Sequence, residues 1–99
     1  MDVRETTHLL ALDDAGQPLA RLAGENEWRD IAAQLLRLDS RWLVIEQRRD
    51  DERPPMPRWE DIALCRTLAR RLRAMEVKLA DHVILGRRGR FSFRDAGLL

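Results

Sequence analysis

The 99-residue chain contains one cysteine, Cys65. A single thiol excludes an internal disulfide and a cysteine-based zinc cage. No apolar run approaches the length of about 18 residues that a membrane-spanning helix needs. The net charge is only +1, so no global field draws the chain toward nucleic acid or a membrane surface. Its first residues, Met-Asp-Val-Arg-Glu, lack the features of a signal peptide, and the cytoplasm is the expected compartment. Lysine is almost missing, with 17 arginines against Lys78 alone. Arginine's planar fork suits carboxylate or phosphate, but a GC-rich genome, which favours arginine codons, is the expected source of the bias. There is no His-x-His, His-x-x-x-His or Cys-x-x-Cys pair and no glycine-rich phosphate loop.

What is present describes a folded domain with a heavily charged surface: 44% of residues are hydrophobic and 35% charged. The length suits one domain spanning 1–99. Thr6–Asp13 holds the apolar run Leu9–Leu12 and reads as a strand buried on both faces. Asp13-Asp14-Ala15-Gly16 is a turn. Residues 18–23 return as an antiparallel strand near an edge, where Pro18 is tolerated. Asn26 is the expected cap of an amphipathic helix over 27–38, with Trp28, Ile31, Leu35 and Leu38 at helical spacing. Trp42–Ile45 is the most hydrophobic strand and is expected to be central. From Gln47 to Pro57 the chain is crowded with charges and prolines and reads as an irregular loop.

Pro57 leads into a second helix over about 58–75, with an apolar face of Ile62, Cys65, Leu68, Ala69, Leu72 and Met75. Asp61 falls on that face, so it points toward the core at the mouth of the loop. Arg66, Arg70 and Arg73 form a basic stripe, which reads as a solvated face. Lys78–Leu85 is a further strand, Gly86-Arg87-Arg88-Gly89 a turn, and Arg90–Phe93 a returning strand with Phe91 and Phe93 on one face. The order β-β-α-β-α-β-β predicts an α/β domain, a mixed sheet with helices on its faces.

Candidate chemistry is sparse. His8 and His82 read as hydrogen-bonded strand histidines. Asp81 and His82 are neighbours on a strand and point to opposite faces, which argues against an acid–base dyad. Arg87, Arg88 and Arg90 around the turn are within reach of a phosphate, but a solvated turn explains them. Glu5, Asp50, Asp51 and Asp61 are the remaining carboxylates for acid–base work.

Three stretches resemble one family. Residues 55–62, Pro-Met-Pro-Arg-Trp-Glu-Asp-Ile, match a Pro-x-Pro-Ser-x-x-Asp-Ile helix entry. Residues 79–86, Leu-Ala-Asp-His-Val-Ile-Leu-Gly, match a Leu-x-Asp-His strand. Residues 92–99 match a closing Ser-hydrophobic-x-x-x-Gly-Leu-Leu. The chain thus resembles the RadC-like branch of the JAB (MPN, JAMM) metalloprotease superfamily, specifically over 55–99 and loosely over 5–54. The resemblance implies a mixed sheet sandwiched by helices. It also implies a zinc ion held by His-x-His and Asp, with Glu as base and Ser assisting the oxyanion. Counting from Asp61, which matches the zinc-binding Asp, the His positions fall on Arg48 and Asp50 and the Ser position on Arg58. The Glu position falls on Glu5, eight residues before Asp13 at the end of the first strand.

Arginine offers no lone pair to zinc. No cofactor is therefore expected, and the zinc site reads as lost. An ion-pair network of Arg48 and Arg58 with Glu5, Asp50 and Asp61 is the expected replacement. The leading functional expectation is a catalytically degenerate domain that binds a protein partner through residues 47–58, with Trp59 as an anchor. A homodimer is a possible assembly. One alternative is a hydrolase holding Mg²⁺ or Mn²⁺ through Glu5, Asp50 and Asp61. The other is a DNA-repair-associated nucleic-acid accessory.

Overall fold

A computed structural model describes residues 5–99. Seven elements follow one another: β1 (Glu5–Leu12), β2 (Pro18–Ala23), α1 (Trp28–Leu38), β3 (Trp42–Arg49), α2 (Trp59–Ala74), β4 (Lys78–Gly86) and β5 (Gly89–Ser92). The five strands form one sheet in the order β2-β1-β3-β4-β5. β3 and β4 are parallel and joined by α2; the other neighbours are antiparallel. A parallel pair needs a crossover, and a helix supplies it. β3 is central and β2 lies at an edge, as expected from their composition.

The core has one side. Ile31 and Leu35 from α1 join Leu68 and Leu72 from α2 in a single cluster with Leu9, Ala11, Leu22, Leu43 and Ile45. Both helices therefore pack on the same face, and the Arg71 guanidinium of α2 lies 5.5 Å from the centre of the Trp28 ring of α1. The mixed sheet and its helices are as expected, with the helices sharing that face. β1 is consequently not buried on both sides. Leu9 and Ala11 are buried, while Leu10 and Leu12 on the other face are only half-buried.

Two further expectations are corrected. α1 is capped by Glu27 without a side-chain hydrogen bond, so Asn26 is not its cap. Gln47, Arg48 and Arg49 belong to β3 and not to the loop. They are held in strand geometry because both neighbours are present, β1 at Glu5–Thr7 and β4 at Ile84 and Leu85.

Gly24 follows β2 at the open end of the β1–β2 hairpin, where its N–H donates to the Thr7 carbonyl at 2.9 Å. A Cβ there would meet the Thr7 carbonyl oxygen and Cγ2 at 2.8 Å. The backbone cannot yield without breaking that bond, so Gly24→Ala is expected to destabilise the fold by about 1–3 kcal/mol, read from the urea unfolding midpoint.

Candidate functional site

Strand parity builds the site. Leu43, Ile45, Gln47 and Arg49 all point to the helical face of β3 and are buried. Leu9, Ile45 and His82 share a row across three strands, as their pairing shows. β3 thus carries its apolar pattern into two polar residues on the same face. Those residues meet Asp61 in the first turn of α2, which is also buried.

Arg49 is the centre. It is 6% exposed, an unusual state for a guanidinium. Its Nε donates to Glu5 Oε1 at 3.0 Å and its Nη1 to the Met56 carbonyl at 2.9 Å. Its Nη2 donates to Asp61 Oδ2 in a short charge-assisted bond. The same Asp61 oxygen accepts the backbone N–H of Arg58 at 2.7 Å, which caps the start of α2. Asp61 Oδ1 accepts Gln47 Nε2 at 3.3 Å. With its amide thus oriented, Gln47 turns Oε1 toward His82 Nε2, so the imidazole donates from Nε2. The chain of contacts runs from Glu5 at the rim, through Arg49, Asp61 and Gln47, to the fully buried His82.

The electrostatics follow. Burial alone pushes the Asp61 carboxyl up, but the hydrogen bonds from the Arg58 N–H and the Arg49 guanidinium outweigh it and hold the pKa below the ordinary carboxylate value. Burial likewise opposes charge on Arg49, and its bonds to Asp61 and Glu5 more than compensate. His82 has only the neutral Gln47 as side-chain hydrogen-bond partner and stacks on Phe93 with ring centres 4.1 Å apart. Its desolvation, only partly offset by the Asp61 and Asp81 charges, lowers its pKa to about 4. Burial and the Asp81 charge push the Cys65 thiol up to about 11, so it is no nucleophile at neutral pH.

Of the residues singled out from sequence, the fold brings together Glu5, Arg58 and Asp61; Arg58 Nη1 lies 3.7 Å from Glu5 Oε2. It does not bring Arg48 or Asp50 to them. Arg48 has the opposite parity and pairs with Glu46 at 3.4 Å on the other face of the sheet. Asp50, beyond the strand end, pairs with Arg87 at 2.5 Å, and Arg87 also reaches Glu52 at 3.5 Å. That clasp holds the loop against the β4–β5 turn, where Gly86 leaves room for Pro55. The set Glu5, Asp50 and Asp61 is therefore not convergent.

Gln47 and Arg49 are the residues that motif counting missed. The signal was the alternation begun by Leu43 and Ile45. The two histidines are on opposite faces, His82 in the row of Leu9 and His8 in the row of Glu46. Asp81 and His82 form no dyad. Asp81 instead accepts the His82 backbone N–H, the Ser92 hydroxyl and the Arg94 N–H, which fastens the C-terminal turn.

The family model of the RadC-like JAB domain matches residues 24–98. That is most of the chain, and the chain belongs to this family. Comparison with curated proteins finds no match. The family implies a zinc ion, and the residues present do not fit one. Glu5 and Asp61 are both committed to Arg49, whose fixed positive charge lies between them. No group of three or more His, Cys, Asp or Glu side chains among the described residues is placed to hold a metal.

Two outcomes test this arrangement. Arg49→Met leaves Asp61 buried and unpaired and is expected to cost about 3–5 kcal/mol in urea unfolding at neutral pH. Arg49→Met combined with Asp61→Leu is expected to recover part of that loss. The second outcome concerns His82. The unfolded imidazole binds its proton near 6.5, whereas the folded one resists it down to about 4. The unfolded state then holds more protons across that window, so stability falls as pH falls through it, by up to about 3 kcal/mol. Asp61's contribution is lost only at lower pH, because its carboxyl is depressed. A urea series across this range should show the slope in the native protein and a flatter profile in His82→Gln.

Proposed function

We propose that this RadC-like JAB domain is catalytically degenerate and serves as a protein-binding module. The observation that carries the reading is the Arg49 guanidinium between Glu5 and Asp61. These are the two positions that match the family's base and its metal-binding Asp. A hydrolase of this family needs a metal-activated water, and a permanently protonated guanidinium neither binds a metal nor activates water. The site's polar groups are spent on each other. What remains available is the rim, where Met56 is 63% and Trp59 75% exposed. Tryptophan is among the side chains that most often anchor protein interfaces.

The same geometry weighs against the magnesium or manganese reading, since Asp50 faces Arg87 and away from Asp61. The test is metal uptake. After incubation with zinc, magnesium or manganese and removal of free ion, elemental analysis should find less than stoichiometric metal. The melting temperature should not move in millimolar amounts of any of the three. A stoichiometric ion, or a melting point raised by several degrees, would sink the proposal.

A further inference from the structure

The outer face of α2 is used neither by the core nor by the Arg49 centre. At about 100° per residue, Trp59, Ala63, Arg66, Arg70 and Arg73 fall on one stripe, opposite Asp61, Cys65, Leu68 and Leu72. All five are exposed. Among the described residues, no carboxylate lies within 4 Å of Arg66, Arg70 or Arg73. Arg37, Arg41, Arg88, Arg90 and Arg94 are exposed and without such a partner too, so what sets these three apart is their alignment along one face of one helix.

The helix dipole does not explain the stripe. It favours cations in the last turn, which accounts for Arg71 and Arg73, but Arg66 lies in mid-helix. Like charges at i, i+4 and i+3 repel, by about 0.2–0.5 kcal/mol per pair. The fold therefore carries an array of cations about 10 Å long with no ion-pair partner among the described residues. At its N-terminal end stand the exposed Trp59 and Met56, three residues apart.

We infer that this face of α2 docks an acidic protein segment. Its carboxylates would lie against Arg66, Arg70 and Arg73, and an apolar side chain against Trp59 and Met56. The inference names the partner chemistry of the binding module proposed above and rests on that reading. A protein partner is favoured over nucleic acid on two grounds. The whole chain is near neutral, so it exerts little long-range pull on a polyanion. The stripe is also a convex ridge with one aromatic at its end, whereas single-stranded nucleic acid is gripped in a groove with several stacking rings.

The experiment uses the full chain and a fluorescein-labelled acidic peptide with glutamates at i, i+4 and i+7 and a leucine pair at one end. Fluorescence anisotropy at about 150 mM salt keeps long-range attraction screened. Saturable binding is expected. Arg66→Gln/Arg70→Gln/Arg73→Gln should weaken it by at least about tenfold with an unchanged melting temperature, and Trp59→Ala should weaken it separately. Should the triple variant melt early, Arg66→Glu with a peptide carrying lysine at the facing position replaces it, and restored binding is the expected result.

Four results would overturn the inference. These are no saturation up to about 1 mM peptide, equal binding by the variants, tighter binding of a short DNA duplex in the same buffer, or self-association abolished by the triple variant. The third assigns the stripe to nucleic acid. The fourth assigns it to a second copy, for which the exposed Glu25, Glu27 and Asp30 are the acidic surface. Metal uptake is measured independently, so failure of the docking face and failure of the degenerate-site reading are told apart.

Discussion

A single guanidinium organises one end of this domain. Arg49 draws together β1 through Glu5, α2 through Asp61 and the proline loop through the Met56 carbonyl, each by a separate N–H. A buried arginine is costly unless its donors are matched and its charge is opposed, and here it has two carboxylates and a carbonyl. The requirement is mutual. Without the cation, Asp61 would sit in the core as an unopposed anion, and the start of α2 would lose the orientation of its cap. The loop inherits its path from the same residue, because the Met56 carbonyl is fixed between the strand end and the helix.

Much of the fold was legible because hydrophobic period and turn chemistry agree along the chain. The strand pair around Asp13–Gly16, the helix over residues 27–38 and the central position of Trp42–Ile45 follow from those signals alone. The inward turn of Asp61 was legible too, since helical spacing sets it beside Cys65, Leu68 and Leu72. The end of β3 was not. Glu46-Gln47-Arg48-Arg49 looks like the beginning of a polar loop, and composition in one strand does not reveal that strands on both sides will satisfy its backbone. Counting back from a motif then selected Arg48 and Asp50, whereas the pleat selects Gln47 and Arg49. Asn26 failed as a cap for a related reason: its neighbour Glu27 is closer to the helix start, and side-chain preference is weaker than backbone path.

The residues that match the family's motifs have structural tasks here that require no metal. Asp61 accepts the Arg58 N–H and so helps to begin α2. Asp81 gathers the Ser92 hydroxyl and two backbone N–H groups and fastens the C-terminal turn. His82 packs flat on Phe93 and passes its one polar contact to Gln47. Part of the motif is therefore needed simply to make the frame.

The alternation of β3 has a bearing on how this chain tolerates change in length. Arg48 and Arg49 are the same amino acid, one turned to the outer face and paired with Glu46, the other buried. Point substitution at Arg48 meets solvent and its pair with the half-buried Glu46, which Arg21 also holds. Insertion or deletion of a single residue within β3 would exchange the two faces beyond the lesion. A deletion would turn Asp50 inward against Asp61, and an insertion ahead of Glu46 would put Arg48 in Arg49's place but turn Glu46 inward where Gln47 meets Asp61. The strand's charged end, which has the composition of a permissive surface segment, is then among the parts of the chain where indels are least tolerated. In sequences descended from a common ancestor with this one, gaps should collect in the Asp50–Arg53 stretch and stop abruptly at Arg49.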